Sequence, residues 1–291
     1  MAKPESSPSP AAATSPSPSP SPSFSVWLEG VRVGARCLPV DPRIGLARLI
    51  LPVSYWRYAE FRYVIGALAR ASGARVLDVG SPKDLALFLA RRQQYAVVAT
   101  DIMPTTIARS QRAARAAGVA GEGPGRVISE VQDARTLPYE DNSFDAAYSV
   151  SVLEHIPESG DTAAIREITR VVRPGGLIVV TTPYSTGYRE TMVQHSVYER
   201  KGGAPGDPVF YERHYDHASL TSRLIDPSGA QLVDLQLWGE GTLRIERALT
   251  RMGGLRTALS PLEPLLAAVC LRRTESNSEN SMAVFFTLRK S

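Results

Sequence analysis

Acidic residues at strand ends are the first positions in this chain able to do chemistry. Residues 75–80 read Arg-Val-Leu-Asp-Val-Gly, a short apolar strand closing on Asp78 and a glycine turn at Gly80. A second strand runs from Tyr95 to Thr100 and ends at Asp101, and the next β-rich run leads to Asp133. In open α/β sheets the ligand sits beyond the carboxyl ends of the strands, so three acids in this layout suit a nucleoside. Gly80 has no Cβ and lets a ligand approach the backbone. Asp78, just before it, suits a ligand with positive charge near that turn. Asp101 lies roughly 20 residues on, where a carboxylate takes both ribose hydroxyls. Asp133, with Ala134 beside it, is placed to accept from an exocyclic adenine amine.

The elements that must hold these residues follow from the pattern. Residues 76–79, 96–100, 127–131, 144–150 and 176–182 read as strands. Residues 85–92, 106–117 and 161–172 read as helices among them. Such alternation implies right-handed crossovers and a mostly parallel sheet. Two late alternating runs, 231–238 and 282–289, close the sheet as an antiparallel pair. The expected fold class is α/β: a Rossmann-like, doubly wound, mostly parallel sheet of about seven strands with an antiparallel terminal strand.

Around that domain, at 75–291, the composition shifts. Residues 1–24 are a Ser/Pro repeat, read as a disordered polyproline-II-like tail, either a docking handle or inert. Residues 25–74 read as an N-terminal helical cap, with Tyr58, Phe61, Arg62 and Ile65 in a stripe that packs on the sheet edge. Residues 183–216 form a long segment with the role of a lid, packed by its tyrosines in a lid helix or recognising an acceptor. Residues 243–273 are a basic, apolar insertion that Pro261 and Pro264 break into short helices. It packs over the core or, in the alternative, contacts a membrane surface or partner helix.

With 291 residues, 43% hydrophobic and 21% charged, the chain can bury a substantial core. A net charge of +4 permits an anionic partner without requiring one. Cys37 and Cys270 lack metal spacing and point to a reduced, cytoplasmic setting with inert thiols. The N-terminal stretch has no apolar h-region, and no run approaches the ~18 apolar residues of a membrane span.

A dinucleotide fold would need Gly-x-Gly-x-x-Gly, but the turn reads Gly80-Ser81-Pro82-Lys83-Asp84-Leu85. A Walker lysine motif is also missing. Val76-Leu77-Asp78-Val79-Gly80 instead resembles the first motif of class I S-adenosylmethionine-dependent methyltransferases. Thr100-Asp101-Ile102 resembles the second. Gln132-Asp133-Ala134 with Leu137-Pro138 and Asn142-Ser143-Phe144-Asp145 resembles the approach to strand four. Ser151-Val152-Leu153-Glu154-His155-Ile156 and Arg173-Pro174-Gly175-Gly176 resemble the later signatures. The subgroup is the small-molecule branch known as methyltransferase type 11, and the resemblance covers about residues 58–185.

The resemblance implies that S-adenosylmethionine is held by Asp78, Gly80 and Lys83 at its methionine end. Asp101 and Ile102 would hold the ribose side, and Asp133 and Ala134 the adenine, with Ser151 on the reactive side. Pro82 departs from the family, which has a glycine there. Methyl transfer from a sulfonium needs alignment and a dry pocket, with a base only for a protonated acceptor. The candidate bases are His155, after strand four, and His214, within Tyr211-Glu212-Arg213-His214-Tyr215. His195 and His217 lie in or beside the same segment. His214-x-x-His217 lacks recognisable further ligands, so no metal is expected.

The place after strand four holds Ser-Val-Leu-Glu, not the Asn/Asp-Pro-Pro-Tyr of exocyclic-amine methylation, and no basic-aromatic nucleic-acid module stands out. The expected reaction is methylation of O, N or C on a small-molecule acceptor, lipid- or sugar-linked ones included. The alternatives are a non-catalytic scaffold on the same fold and an RNA methyltransferase. Oligomeric state is not encoded in any of these features.

Overall fold

Period-two alternation sorts the strand side chains into two layers. On the last strand Val284, Phe286 and Leu288 are buried in one layer, while Phe285 is buried in the other. The computed structural model describes residues 22–71, 73, 75–194, 207–241, 245–252, 255–275 and 280–291. The helices are α1 (Pro22–Cys37), α2 (Pro42–Ile50), α3 (Arg57–Leu68), α4 (Lys83–Gln93), α5 (Pro104–Ala117) and α6 (Gly160–Val171). Later come α7 (His217–Leu220), α8 (Asp226–Ser228), α9 (Ile245–Arg251), α10 (Leu255–Leu259) and α11 (Glu263–Cys270). The strands are β1 (Arg75–Val79), β2 (Ala96–Asp101), β3 (Val127–Val131), β4 (Phe144–Val150) and β5 (Val172–Pro183). They continue with β6 (Arg189–Val193), β7 (Val209–His214), β8 (Gln231–Glu240), β9 (Leu271–Thr274) and β10 (Ala283–Arg289).

The main sheet has eight strands in the order β3-β2-β1-β4-β5-β10-β8-β9. Its members are parallel from β3 to β5 and antiparallel beyond. The chain winds outward through β1, β2 and β3, then returns to place β4 on the other side of β1. That reversal opens a crevice at the carboxyl ends of β1 and β4, the place where such sheets bind ligands.

Three expectations change. The sheet gains β9, whose Arg272 and Arg273 had read only as charges flanking a helical insertion. A short, arginine-bearing edge strand is one way to blunt a sheet edge. The Ser/Pro tail reading overran its end, since Pro22 opens α1, where a missing N–H costs nothing; residues 1–21 lie outside the described residues. The described part of 183–216 is no lid helix: β6 and β7 pair as an antiparallel two-stranded sheet. His195 and Tyr198 lie outside the described residues.

Within that hairpin Arg213 and Tyr215 are fully buried against α6. Asp161, equally buried in the first turn of α6, meets Arg213 Nη1 at 2.5 Å. It also accepts from Arg223 Nε and Nη2 at 2.8 Å each and from Tyr215 Oη at 2.9 Å. This charged cluster fixes the hairpin over the end of the sheet.

Candidate active site

The strand-end acids differ in what they present. Asp101 is half-buried, with one oxygen accepting the Met103 N–H at 2.9 Å. Burial pushes its carboxyl up, with Lys83 pulling the other way. Beside it Ile102 is 56% exposed, an apolar platform next to a carboxylate. Such a pair suits a ribose with its flat base.

Asp78 is not open to a ligand. Its side chain is fully enclosed, accepting from Ser81 N at 3.0 Å and from Lys83 Nζ at 3.2 Å. Burial raises its pKa to about 6 even with the lysine beside it. Asp78 is thus committed to Lys83, itself nearly enclosed with a side chain 5% exposed. Lys83 Nζ also donates to Thr100 O at 2.7 Å. An ammonium has three donors, so one is left for an anionic group such as the cofactor carboxylate. Gly80 likewise departs from its reading. At φ +68° a Cβ would stand 2.6 Å from Val152 Cγ1, so the glycine admits Val152, not a ligand. Asp133 is chelated by Arg135 at 2.6–3.1 Å, which holds its carboxyl below the usual range. An adenine amine would have to share it with that guanidinium. The donor set thus fits S-adenosylmethionine through Asp101, Ile102 and Lys83. Ala134, packed at the edge of the apolar layer, adds only a small wall beside them.

Lys83→Met should cost about 1–3 kcal/mol at pH 8, the price of an unsatisfied buried carboxylate. The loss should shrink towards pH 5, where Asp78 takes up a proton and no longer needs the cation. Denaturant unfolding at the two pH values checks this; an equal loss at both contradicts it.

Beyond β4 and β5 lies a cavity of ≈ 430 Å³. Ser151, His155 and His214 all line it, brought together from the residue after β4, the 3₁₀ turn Leu153–His155 and β7. Ser151 has φ 50°, a strained state for a non-glycine residue of the kind functional sites retain. Its Oγ donates to Glu60 Oε1 at 2.6 Å, as does Thr181 Oγ1 at 2.9 Å. Glu60 is buried on α3, and Arg57 Nη1 donates to its other oxygen at 2.7 Å.

The two histidines are held differently. His155 Nδ1 lies 2.9 Å from Tyr211 O; a carbonyl only accepts, so Nδ1 carries the proton in the neutral ring. Nε2 is then the basic nitrogen, 3.9 Å from Glu154 Oε1. His214 Nδ1 faces Arg189 Nη2 at 3.1 Å and Nε2 faces Glu212 Oε1 at 3.1 Å. A guanidinium only donates, so the basic lone pair of His214 is already engaged, and the geometry does not favour it as a base. Burial pushes Glu212 up, but His214, His155 and Arg189 together outweigh it and hold its carboxyl low.

Glu60, Glu154 and Glu212 were not read as site residues. Glu60 had one signal, an acid within the apolar stripe of α3. Glu154 was visible only inside a motif. It is fully buried, and burial raises its pKa to about 8, so it is mostly protonated at neutral pH. The folded protein binds this proton more tightly than the unfolded chain, so stability is withdrawn as pH rises from about 4.5 through about 8. Glu154→Gln should remove that decline. Thermal unfolding of both proteins across this window checks it; parallel curves would contradict it.

Residues 77–180, from β1 to β5, match the family described as a methyltransferase domain. A 27-O-demethylrifamycin SV methyltransferase from Amycolatopsis mediterranei is 33% identical over 116 residues, 40% of this chain and 40% of the relative. A ubiquinone biosynthesis O-methyltransferase from Xanthomonas oryzae pv. oryzae is 34% identical over 119 residues, 40% of this chain and 46% of the relative. The matched stretch thus spans under half the length of these curated relatives. A SAM-dependent methyltransferase structure from Methanosarcina mazei superposes with a TM-score of 0.52 at 17% identity, covering 78% of this chain and 96% of that one. The cyclase SpnF superposes with a TM-score of 0.51 at 23% identity, covering 82% and 83%. These superpositions share the fold, and the family match falls on the strands that build the crevice. Residues 77–180 thus match a methyltransferase domain, set in a sheet with the fold of a solved SAM-dependent methyltransferase.

Among the described residues no helix is long and apolar enough to cross a membrane.

Proposed function

We propose that the chain transfers the methyl group of S-adenosylmethionine to an O, N or C atom of a small molecule held in the cavity beyond β4 and β5. A hydroxyl is the acceptor the site suits best. The observation that carries this is the His155 ring: Nδ1 is committed to the Tyr211 carbonyl, so its basic nitrogen is fixed at the cavity. When bound, the cofactor supplies an activated methyl group. Asp101 and Lys83 orient it, and Ser151, fixed by Glu60, shapes the reacting side. His155 Nε2 takes the acceptor proton as the methyl group arrives. Both curated relatives above carry names that specify O-methylation, which supports the hydroxyl reading.

Glu60 and Glu212 in the wall offset Arg57 and Arg256, so the cavity offers no basic surface to a phosphate-rich acceptor, and RNA is the weaker reading. Two free, buried cysteines fit a reducing cytoplasm. One observation favours the scaffold alternative: the first turn, with its Asp78–Lys83 pair and Val152 over Gly80, is closed more tightly than a ligand cradle needs. Incubation with methyl-labelled S-adenosylmethionine and a panel of phenols, catechols, polyols and amines tests the proposal. Label on a hydroxylated member supports it; no transfer to any member, with the cofactor bound, contradicts the catalytic reading.

A further inference from the structure

A second groove, of ≈ 390 Å³, lies between α3 and the β8–β9 edge of the sheet. We propose that it binds a small phosphate-bearing anion, a site separate from methyl transfer. Among the described residues no carboxylate lines it, Asp234 lying behind it and accepting from Gln236 Nε2 at 2.7 Å, whereas Arg62, Arg70 and Arg273 do. All are exposed, and no ion pair among the described residues engages any of them. Guanidinium groups stay charged at every accessible pH and match phosphate oxygens bidentately. Three of them around one groove repel one another until an anion enters.

Gly66 points the same way. It follows Arg62 by one helical turn and precedes Arg70 by another, so the arginines flank it on one side of α3 and the turn beyond. Glycine inside a helix is destabilising relative to alanine. Packing does not require it here, because a Cβ would meet nothing within 4 Å. The missing side chain keeps the groove clear between two cations. Its floor is firm: Trp238 stacks on Phe285 at 5.3 Å, and its Nε1 donates to Gln236 Oε1 at 3.2 Å. The indole offers a flat surface to any ring the phosphate carries. The volume lies in the range of small-molecule sites, roughly 300–1,000 Å³. Arg62 had been read from sequence as part of the packing stripe; its exposure at this groove corrects that.

Calorimetric titration of the full chain with pyrophosphate and with ADP at low ionic strength tests the site, repeated with S-adenosylhomocysteine present. The wild type should bind pyrophosphate whether or not S-adenosylhomocysteine is there. The double variant Arg62→Glu/Arg70→Glu should bind about 100-fold more weakly, roughly tenfold per arginine. Gly66→Leu should abolish binding while raising the Tm. Arg109→Glu, an exposed arginine elsewhere, should change nothing beyond a small general charge effect. ADP binding tighter than pyrophosphate assigns the ring to Trp238; equal binding leaves the phosphate as the whole ligand. Absence of binding by either probe overturns the proposal. So does binding that survives in both the double variant and Gly66→Leu, or that falls as far in Arg109→Glu.

Discussion

Asp161→Asn should lower the unfolding free energy by about 3–5 kcal/mol, because it leaves buried charge without its counterion. Arg213 is fully buried, and Asp161 is the anion it meets at 2.5 Å. Asparagine keeps the shape and can still accept, but Arg213 keeps only the more distant Glu190, 3.9 Å from its Nε, and Arg223 loses a bidentate partner. In this size class the change corresponds to a Tm lower by about 10 °C. The pH dependence provides an independent check. Burial pushes the Asp161 carboxyl up, but hydrogen bonds from Arg223 and Arg213 outweigh it and hold it below the usual range. Its contribution is therefore complete above the ordinary carboxylate range and lost as pH falls through the depressed value. The variant should show a flatter stability curve in acid. A loss below about 1 kcal/mol would mean the cluster is solvated and does not anchor the hairpin.

His155→Asn should reduce kcat by about 10²–10⁴-fold with little change in KM, the usual range for removing a positioned base. Asparagine is the informative replacement. Its amide nitrogen falls near the position of Nδ1 and can keep the bond to Tyr211 O, but nothing replaces Nε2. The turn and hairpin contact should survive, so cofactor affinity and Tm should match the wild type. The acidic limb of the pH–rate profile, set by protonation of the base, should vanish in the residual activity. His214→Asn, by contrast, breaks contacts to Arg189 and Glu212 and should act mainly through the hairpin. If His155→Asn retains full kcat, alignment alone drives the reaction and the acceptor arrives deprotonated.

How far the sequence leads depends on how local each signal is. Asp101 and Ile102 could be read because a strand end presents its side chains to the crevice whatever the neighbours do. Asp78 and Gly80 were placed correctly along the chain, but their partners were not visible. Lys83 folds back across the turn onto Asp78, and Val152 reaches Gly80 from the far side of the switch point. Asp133 loses its openness to Arg135, two residues on, through loop geometry that no periodicity encodes. Glu60 meets Ser151 across 91 positions of sequence, and only the docking of α3 on the ends of β4 and β5 brings them together. The hairpin hid itself because β7 buries Arg213, with Tyr215 just past its end, where an apolar alternation would have announced a strand. The parallel half of the sheet was more legible, since β1, β2 and β4 are short, largely apolar runs.

The central claim is that the crevice beside Asp101 holds S-adenosylmethionine despite the closed first turn. Calorimetric titration with S-adenosylhomocysteine, comparing the wild type with Asp101→Ala, measures this most directly. The account predicts one site per chain with micromolar affinity in the wild type, weakened by about 100-fold or more in the variant, where two ribose hydrogen bonds to a charged acceptor are lost. A folded wild-type protein that takes up no S-adenosylhomocysteine, or an Asp101→Ala variant that binds it equally well, would contradict the account.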